Sequence, residues 1–296
     1  MTGEPTIRII ENKDRFIRFE IDNINYAEAN MIRRTLINDI PKLAIDKIVF
    51  RHGQIRDSSG NVFDSSLPLF DEMVAHRIGL IPIKTDSKMN FRETCRCEGK
   101  GCSLCTVTYN INKTGPSEVF SRDLLPFTGN TDLTPTDPDI PIVKLAPNQA
   151  LLVTAEAYMG TGREHIKWQV TSGVGYKIHR EYDIKKADNP GFELIKEKFP
   201  NLVISETKDT IVLTDDVPAR ELMIYINRAR RNGVINERPL EFNEDEKRFI
   251  FHFETDGSIN AIDVLDIAFK RIPERLNHLL ESITFLFLTS RSMFSG

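Results

Sequence analysis

The sequence predicts an α+β chain with a mainly β middle, and three observations carry that reading. Short runs of alternating apolar residues open the chain, and further strand-like runs follow through its centre. Two stretches switch to the three-and-four spacing of helices, one from Tyr26 to Asp39 and one from Ile259 to Leu286. All four cysteines fall between Cys95 and Cys105, in a polar segment that contains Gly99 and Gly101. A length of 296 residues allows one large domain or two to three smaller ones. The formal net charge of −4 makes the whole molecule no magnet for nucleic acid and directs attention to protein partners. The opening Met1-Thr-Gly-Glu-Pro5 lacks the charged and apolar regions of a secretion signal. The longest apolar run near the end, around Ile283 to Leu288, is far below the ~18 residues that span a bilayer, so an intracellular chain with no membrane span is expected.

Taken in order, residues 6 to 22 hold two strands, the second with Ile17, Phe19 and Ile21 on one face, and the polar break Glu11 to Asp14 suits a hairpin turn. The helix that follows places Ile32, Leu36 and Ile40 in steps of four and stops at Pro41. Its adjacent Arg33 and Arg34 project over a wide arc, either as a solvated basic face or as contacts to an acidic partner. A second helix is signalled by Leu67 to Gly79, with Pro68 in the first turn, Asp71 and Glu72 toward the positive end, Arg77 in the last turn and Gly79 as a left-handed stop. Phe70, Val74 and Ile78 form its expected buried row, and His76 reads as a hydrogen-bonding or partner-facing side chain. A surface loop rich in Pro, Thr, Asp and Gly spans Asp123 to Asp139. Strands are then expected at Leu151 to Ala157 and His165 to Thr171, while Gly160-Thr-Gly162 and Gly173-Val-Gly175 lack the spacing of phosphate loops and read as turns. Between Pro190 and Pro239, helix-like runs at Phe192 to Lys198 and Arg220 to Arg231 alternate with strands near Leu202 to Ser205 and Thr210 to Leu213. The cluster Arg228, Arg230 and Arg231 is either an ordinary solvated helix end or a nucleic-acid contact.

Cys95, Cys97, Cys102 and Cys105 have the right count for one tetrahedral metal site, with the two glycines placed where the loop must fold back. An all-cysteine site is closed to substrate and therefore structural. Four thiolates around a divalent ion carry about −2, which Arg92, Arg96 and Lys100 lie near enough to offset. Zinc is the leading ion. An iron–sulfur cluster, a Cys102-x-x-Cys105 redox pair and four reduced thiols in a loop are the alternatives.

After the strand Arg248 to Glu254, apolar residues recur at Ile262, Leu265, Phe269, Ile272, Leu276, Leu279, Ile283 and Leu286. Steps that alternate three and four make the seam of a long helix packed along another, and Pro273 should bend it. A helix of about 30 residues reaches roughly 45 Å, longer than most single cores cover, which favours sharing it with another chain over a core-spanning role.

Three segments together resemble a known family: Glu28-Ala-Asn-Met-Ile-Arg-Arg-Thr-Leu36, then Ile40-Pro-Lys-Leu-Ala-Ile-Asp46, then Asp71-Glu-Met-Val-Ala-His-Arg-Ile-Gly-Leu-Ile-Pro82. They are similar to the α-like assembly subunits of cellular RNA polymerases, most of all the archaeal form. The third-largest subunit of eukaryotic polymerase II and the amino-terminal domain of bacterial α are related more distantly. The order of the segments, the cysteine loop just after them and the long terminal helix extend the resemblance over nearly the whole chain.

The resemblance implies a discontinuous α-like dimerisation domain, residues 1–46 joined with 243–296, into which a mainly β domain, 47–187, is inserted with its zinc loop at 95–105. A small ferredoxin-like module falls at 188–242 and has no cysteines, so it cannot hold a cysteine-ligated cluster. The C-terminal seam would pack on a smaller α-like partner, resembling the small α-like subunit of the archaeal enzyme. Arg33, Arg34, Asp71, Glu72, His76 and Arg77 would face the second-largest subunit and the small zinc subunits. The implied role is a non-catalytic scaffold whose heterodimer docks both large subunits and meets DNA only through the assembled polymerase. Its compartment would be the cytoplasm, at the nucleoid in an archaeon, or the nucleus in a eukaryote. Rival functions are a zinc-dependent nucleic-acid-binding regulator using Arg228 to Arg231 and a thiol oxidoreductase using Cys102 or Cys105. Both leave the terminal seam unexplained.

Overall fold

A hairpin opens the chain in the computed structural model: β1 (Thr6–Lys13) runs through most of the predicted polar break and turns at Asp14 and Arg15 into β2 (Phe16–Asp22). The described residues are 3–56, 58–127, 132–185, 197, 203–206, 210–214, 224, 227–228, 230–233 and 240–293. Helix α1 (Tyr26–Asn38) begins at a capping box: the Asn25 carboxamide oxygen accepts from the N–H groups of Ala27 and Glu28, and the Glu28 carboxylate accepts from the Asn25 N–H at 2.8 Å. Ile32, Leu36 and Ile40 are buried, as their spacing requires.

Strand β3 (Pro41–Phe50) follows, then the short pair β4 (Gln54–Arg56) and β5 (Val62–Asp64), and helix α2 (Asp71–Gly79). Beyond the cysteine loop lie β6 (Thr106–Thr114), β7 (Ser117–Phe120), β8 (Leu125–Pro126) and β9 (Pro141–Leu145). The long strands β10 (Ala150–Thr161) and β11 (Thr171–Lys185) come next, then β12 (Val203–Glu206) and β13 (Thr210–Thr214). β14 (Leu240–Thr255) leads into α3 (Ala261–Met293). A six-stranded sheet has the order β1-β2-β14-β11-β13-β12, and a four-stranded sheet the order β3-β10-β6-β8.

The chain divides into two compact units. The first comprises residues 1–9, 19–29 and 176–251. Phe19 stacks on Phe251 with ring centroids 5.1 Å apart, while Tyr26 and Tyr176 meet Phe249 edge to face. Beside this aromatic core the nearly buried Glu20 carboxylate is held by His179 at 3.2 Å and Arg8 at 3.0 Å. The hydrogen bond from His179, more than the burial that opposes it, keeps the carboxyl below its usual range. The strands expected within 188–242 are β12 and β13, and they extend the sheet: β13 pairs antiparallel with β11, from Glu181 opposite Thr214 to Lys185 opposite Thr210. The helix expected at Phe192 to Lys198 lies outside the described residues except for Glu197, which is helical.

The second unit comprises residues 10–18, 30–175 and 252–296. β10 is its spine, paired antiparallel with β3 on one side and β6 on the other. Leu43, Ile45, Val107, Tyr109, Val153 and Ala155 belong to the core on this sheet, and Val74 and Ile78 of α2 join the same cluster. The predicted buried row of α2 is only two-thirds correct, because Phe70 is 76% exposed at the helix N-cap. Gly79 is the last helical residue and does not form a left-handed stop. Leu80 ends the helix at φ −92° and ψ −2°.

Two expectations around Trp168 fail for one reason. His165 to Thr171 is not a strand: Ile166–Trp168 form a single 3-10 turn, and β11 starts only at Thr171. Gly160 is not in a turn but within β10, under the Trp168 indole, whose nitrogen donates to the Tyr158 carbonyl at 3.1 Å. A Cβ at Gly160 would stand 2.5 Å from the ring. Gly160→Ala is therefore expected to destabilise the unit by about 1–3 kcal/mol, seen as a lower urea midpoint with an unchanged slope. Gly173 and Gly175 likewise sit inside β11, not in a turn.

Candidate metal centre and assembly surfaces

The cysteine loop folds back because Glu98, Gly99 and Gly101 all adopt positive φ, at 53°, 76° and 85°. Backbone bonds from the Glu98 N–H to the Cys95 carbonyl, from Lys100 to Cys97 and from Cys105 to Cys102 tighten each half into a turn. The Arg92 guanidinium donates to the Gly99 carbonyl at 2.9 Å and lies against Gly101, tying the loop tip to its base. Asn90 donates its N–H to the Leu104 carbonyl at 3.0 Å and closes the mouth of the loop.

These turns bring the four sulfurs together. Cys95 and Cys102 are 3.6 Å apart, Cys97 and Cys105 are 3.6 Å apart, and Cys102 and Cys105 are 3.9 Å apart, with all four within 4.8 Å of one another. Four ligands at the Zn–S distance of about 2.3 Å around a tetrahedral ion stand about 3.8 Å from each other, so the set fits one ion. A cluster distributes its four thiolates over different irons and spreads them wider than this. No cystine bond joins any of the four. The crowded thiols differ in acidity. Against the opposing effect of burial, hydrogen bonds to the Cys97 sulfur from Cys105, the Gly101 N–H, Cys95 and Cys102 lower its thiol to about 6. Cys95 moves the other way: its backbone bond with Cys97 favours the thiolate, but burial and the three neighbouring sulfurs prevail and push its thiol up to about 11. Of the basic residues near the loop, Arg92 is engaged as described, while Lys100 pairs with Glu98 at 3.5 Å on the exposed tip.

The six residues expected to face other subunits fall on two helices. Arg33 bonds the Asn30 carboxamide within α1 at 3.0 Å and is half-buried, whereas Arg34 is exposed. On α2, Asp71 accepts from the His52 ring at 2.7 Å, and Arg77 donates to the Ile142 carbonyl at 2.7 Å. Glu72 and His76 are exposed. What sequence spacing missed is the apolar surface around them: Phe70, Met73 and Leu80 all lie exposed beside these polar groups.

The terminal seam divides in two. Ala261, Val264, Leu265 and Ala268 are buried, so Leu265 packs within the chain itself. Phe269 and Ile272 are half-buried, and Ile262 is 40% exposed. Past Pro273 the cover ends: Leu276, Leu279, Leu280 and Ile283 are 51%, 55%, 68% and 43% exposed. Leu286 lies on α3, with its side chain outside the described residues. Arg228, Arg230 and Arg231 are exposed and helical. No described helix is long and apolar enough to cross a membrane.

A protein named DNA-directed RNA polymerase subunit Rpo3, from Picrophilus torridus, is 58% identical to this chain over 276 residues, covering 93% of this chain and 98% of that protein. The chain belongs to the Rpo3 family. Other members include the Rpo3 subunit of Thermoplasma volcanium, 54% identical over 94% of this chain and 99% of its own length. That of Methanothermobacter thermautotrophicus is 32% identical over 88% and 91%. The family described as the RNA polymerase Rpb3/RpoA insert domain matches residues 55–179, a span that holds α2, the cysteine loop and most of the four-stranded sheet.

Proposed function

We propose that this chain is the scaffold on which a DNA-directed RNA polymerase is assembled, acting through a heterodimer with a smaller α-like subunit. Membership of the Rpo3 family makes it a polymerase subunit without a catalytic role of its own. The observation that carries the heterodimer is the distal half of α3, a row of leucine and isoleucine side chains left 43–68% exposed by the described residues. An apolar helix face of this length is buried by a second helix of matching spacing. Residues 1–46 and 243–296 would then form the dimerisation domain, 47–187 the inserted domain, and 188–242 a small module that holds no cysteine.

The exposed face of α2 and the basic residues of α1 would carry the second-largest subunit and the small zinc subunits. Phe70, Met73 and Leu80 supply apolar area, and Arg34, Glu72 and His76 supply orientation. Cys95, Cys97, Cys102 and Cys105 would hold one structural zinc, which fixes a loop too polar to fold around a core of its own. DNA would be met only by the assembled enzyme, in the cytoplasm at the nucleoid. The zinc-dependent nucleic-acid-binding regulator is not favoured, because the likeness to polymerase subunits runs the length of the chain.

The test is a native pull-down of the tagged chain at moderate salt, with the captured proteins identified by mass spectrometry. Capture of a small α-like subunit together with both large polymerase subunits is the expected result. A chain recovered alone, or with nucleic acid only, refutes the scaffold reading.

A further inference from the structure

Asp39 is a carboxylate in an expensive place. It follows the last residue of α1, where the helix dipole is negative, and its side chain is only 8% exposed. Two guanidinium groups compensate it: Arg163 donates from Nη2 to Oδ1 at 2.8 Å, and Arg275 donates from Nη1 to Oδ2. Arg163 is itself fixed. Its N–H donates to the Asn38 carbonyl at 3.0 Å, and the preceding Gly162 lies so close to the end of α1 that a Cβ there would stand 2.5 Å from the Ile37 carbonyl oxygen. The Thr171 hydroxyl donates to the Leu36 carbonyl at 2.8 Å, so the end of α1 is pinned from two sides.

Arg275 belongs to the long helix, two residues past Pro273. Ala268 is the last fully buried residue of α3, Phe269 and Ile272 are half-buried, and Pro273 has no N–H to bond the Phe269 carbonyl, which leaves a joint just before the exposed half. From Pro273 to Ile283 the helix extends about 15 Å, so a swing of about 20° at the joint carries Ile283 roughly 5 Å, close to a full helical pitch. We propose that Asp39, held by Arg163, clamps Arg275 and so aims the free half of α3 at the partner chain that covers it. Asp39 and Arg163 are positioning residues for assembly, an inference that rests on the heterodimer reading above.

The experiment compares wild type, Arg275→Ala and Arg275→Lys in the full metal-loaded chain. Ketone-bearing residues at Lys144 and Glu281 take spin labels without touching the cysteines, and pulsed electron resonance reads the distance between them. The wild type is expected to give a narrow distribution, Arg275→Ala a broad one, and Arg275→Lys, which keeps a cation for a one-point contact, a narrow one again. Binding of the small α-like subunit is expected to weaken about tenfold in Arg275→Ala, as if one-tenth of the molecules held the competent orientation, and to recover in Arg275→Lys. An Arg275→Ala distribution as narrow as wild type overturns the clamp, and so does broadening with unchanged affinity. If wild type fails to bind the small subunit, the heterodimer reading falls and the clamp's assembly role with it, while the distances still show whether Arg275 holds the helix.

Discussion

Leu279→Asp combined with Ile283→Asp is expected to abolish capture of the small α-like subunit while leaving the chain folded. Both side chains are about half exposed in the isolated protein, so the substitutions remove no buried contact of its own and its melting temperature should stay close to wild type. In the heterodimer both positions would be covered. Each substitution then forfeits about 1.5–3 kcal/mol of apolar burial and asks a carboxylate to leave water, and together they exceed 4 kcal/mol, about a thousandfold in affinity. Leu265→Asp is the contrasting control. It lies on the same predicted seam but is buried in the chain's own core, and its replacement should lower the melting temperature sharply. Wild-type affinity in the double mutant, measured by titration calorimetry with the purified small subunit, would remove the distal helix from the interface.

Replacing Cys102 and Cys105 with serine is expected to reduce bound metal from one equivalent per chain to near zero and to open residues 91–109 to protease. Two of four ligands are lost, and structural zinc sites of this kind contribute roughly 10–16 kcal/mol to the order of the peptide that holds them. The damage should remain local. Cys105 sits at the mouth of β6, and the side chains that follow it, Val107, Tyr109 and Ile111, are locked in the core against β10, so strand pairing persists without the ion. Elemental analysis checks the metal, and peptide mapping of limited digests checks the loop. Unchanged metal content would exclude these cysteines as the ligands.

Features that depend on local chemistry were legible in the sequence. The cysteine loop, the Ile17-Phe19-Ile21 strand face and the Ile32-Leu36-Ile40 helix row all reside in spacing over a few residues, and spacing is what the chain displays directly. Misreadings arose where a distant partner decides. Ile166, Trp168 and Val170 alternate as a strand would, yet the segment turns so that the indole can lie over Gly160. That glycine in turn looks like a loop residue until the ring above it is seen. Phe70 matches the helical row of Val74 and Ile78 but stands at the N-cap, with its side chain exposed. Among the candidate assembly residues, Arg33 and Arg34 look equivalent as a pair, and only the structure separates the one bound to Asn30 from the one facing water. The Asp39 to Arg275 contact joins residues at opposite ends of the chain, and no periodicity announces it.

The stacking of Phe19 on Phe251 sets a timetable for the ribosome. Phe19 leaves the exit tunnel about 230 residues ahead of Phe251, so at ordinary synthesis speeds of about 5–20 residues per second its strand waits some tens of seconds for its neighbour. During that interval the segment from Pro41 to Thr161 already contains β3, β10 and β6 and can complete its own sheet. The buried row of β2, Phe19 foremost, meanwhile lacks the strand that covers it, so a stalled or truncated nascent chain would expose it, and a folding helper bound there early in translation would shield it until β14 arrives.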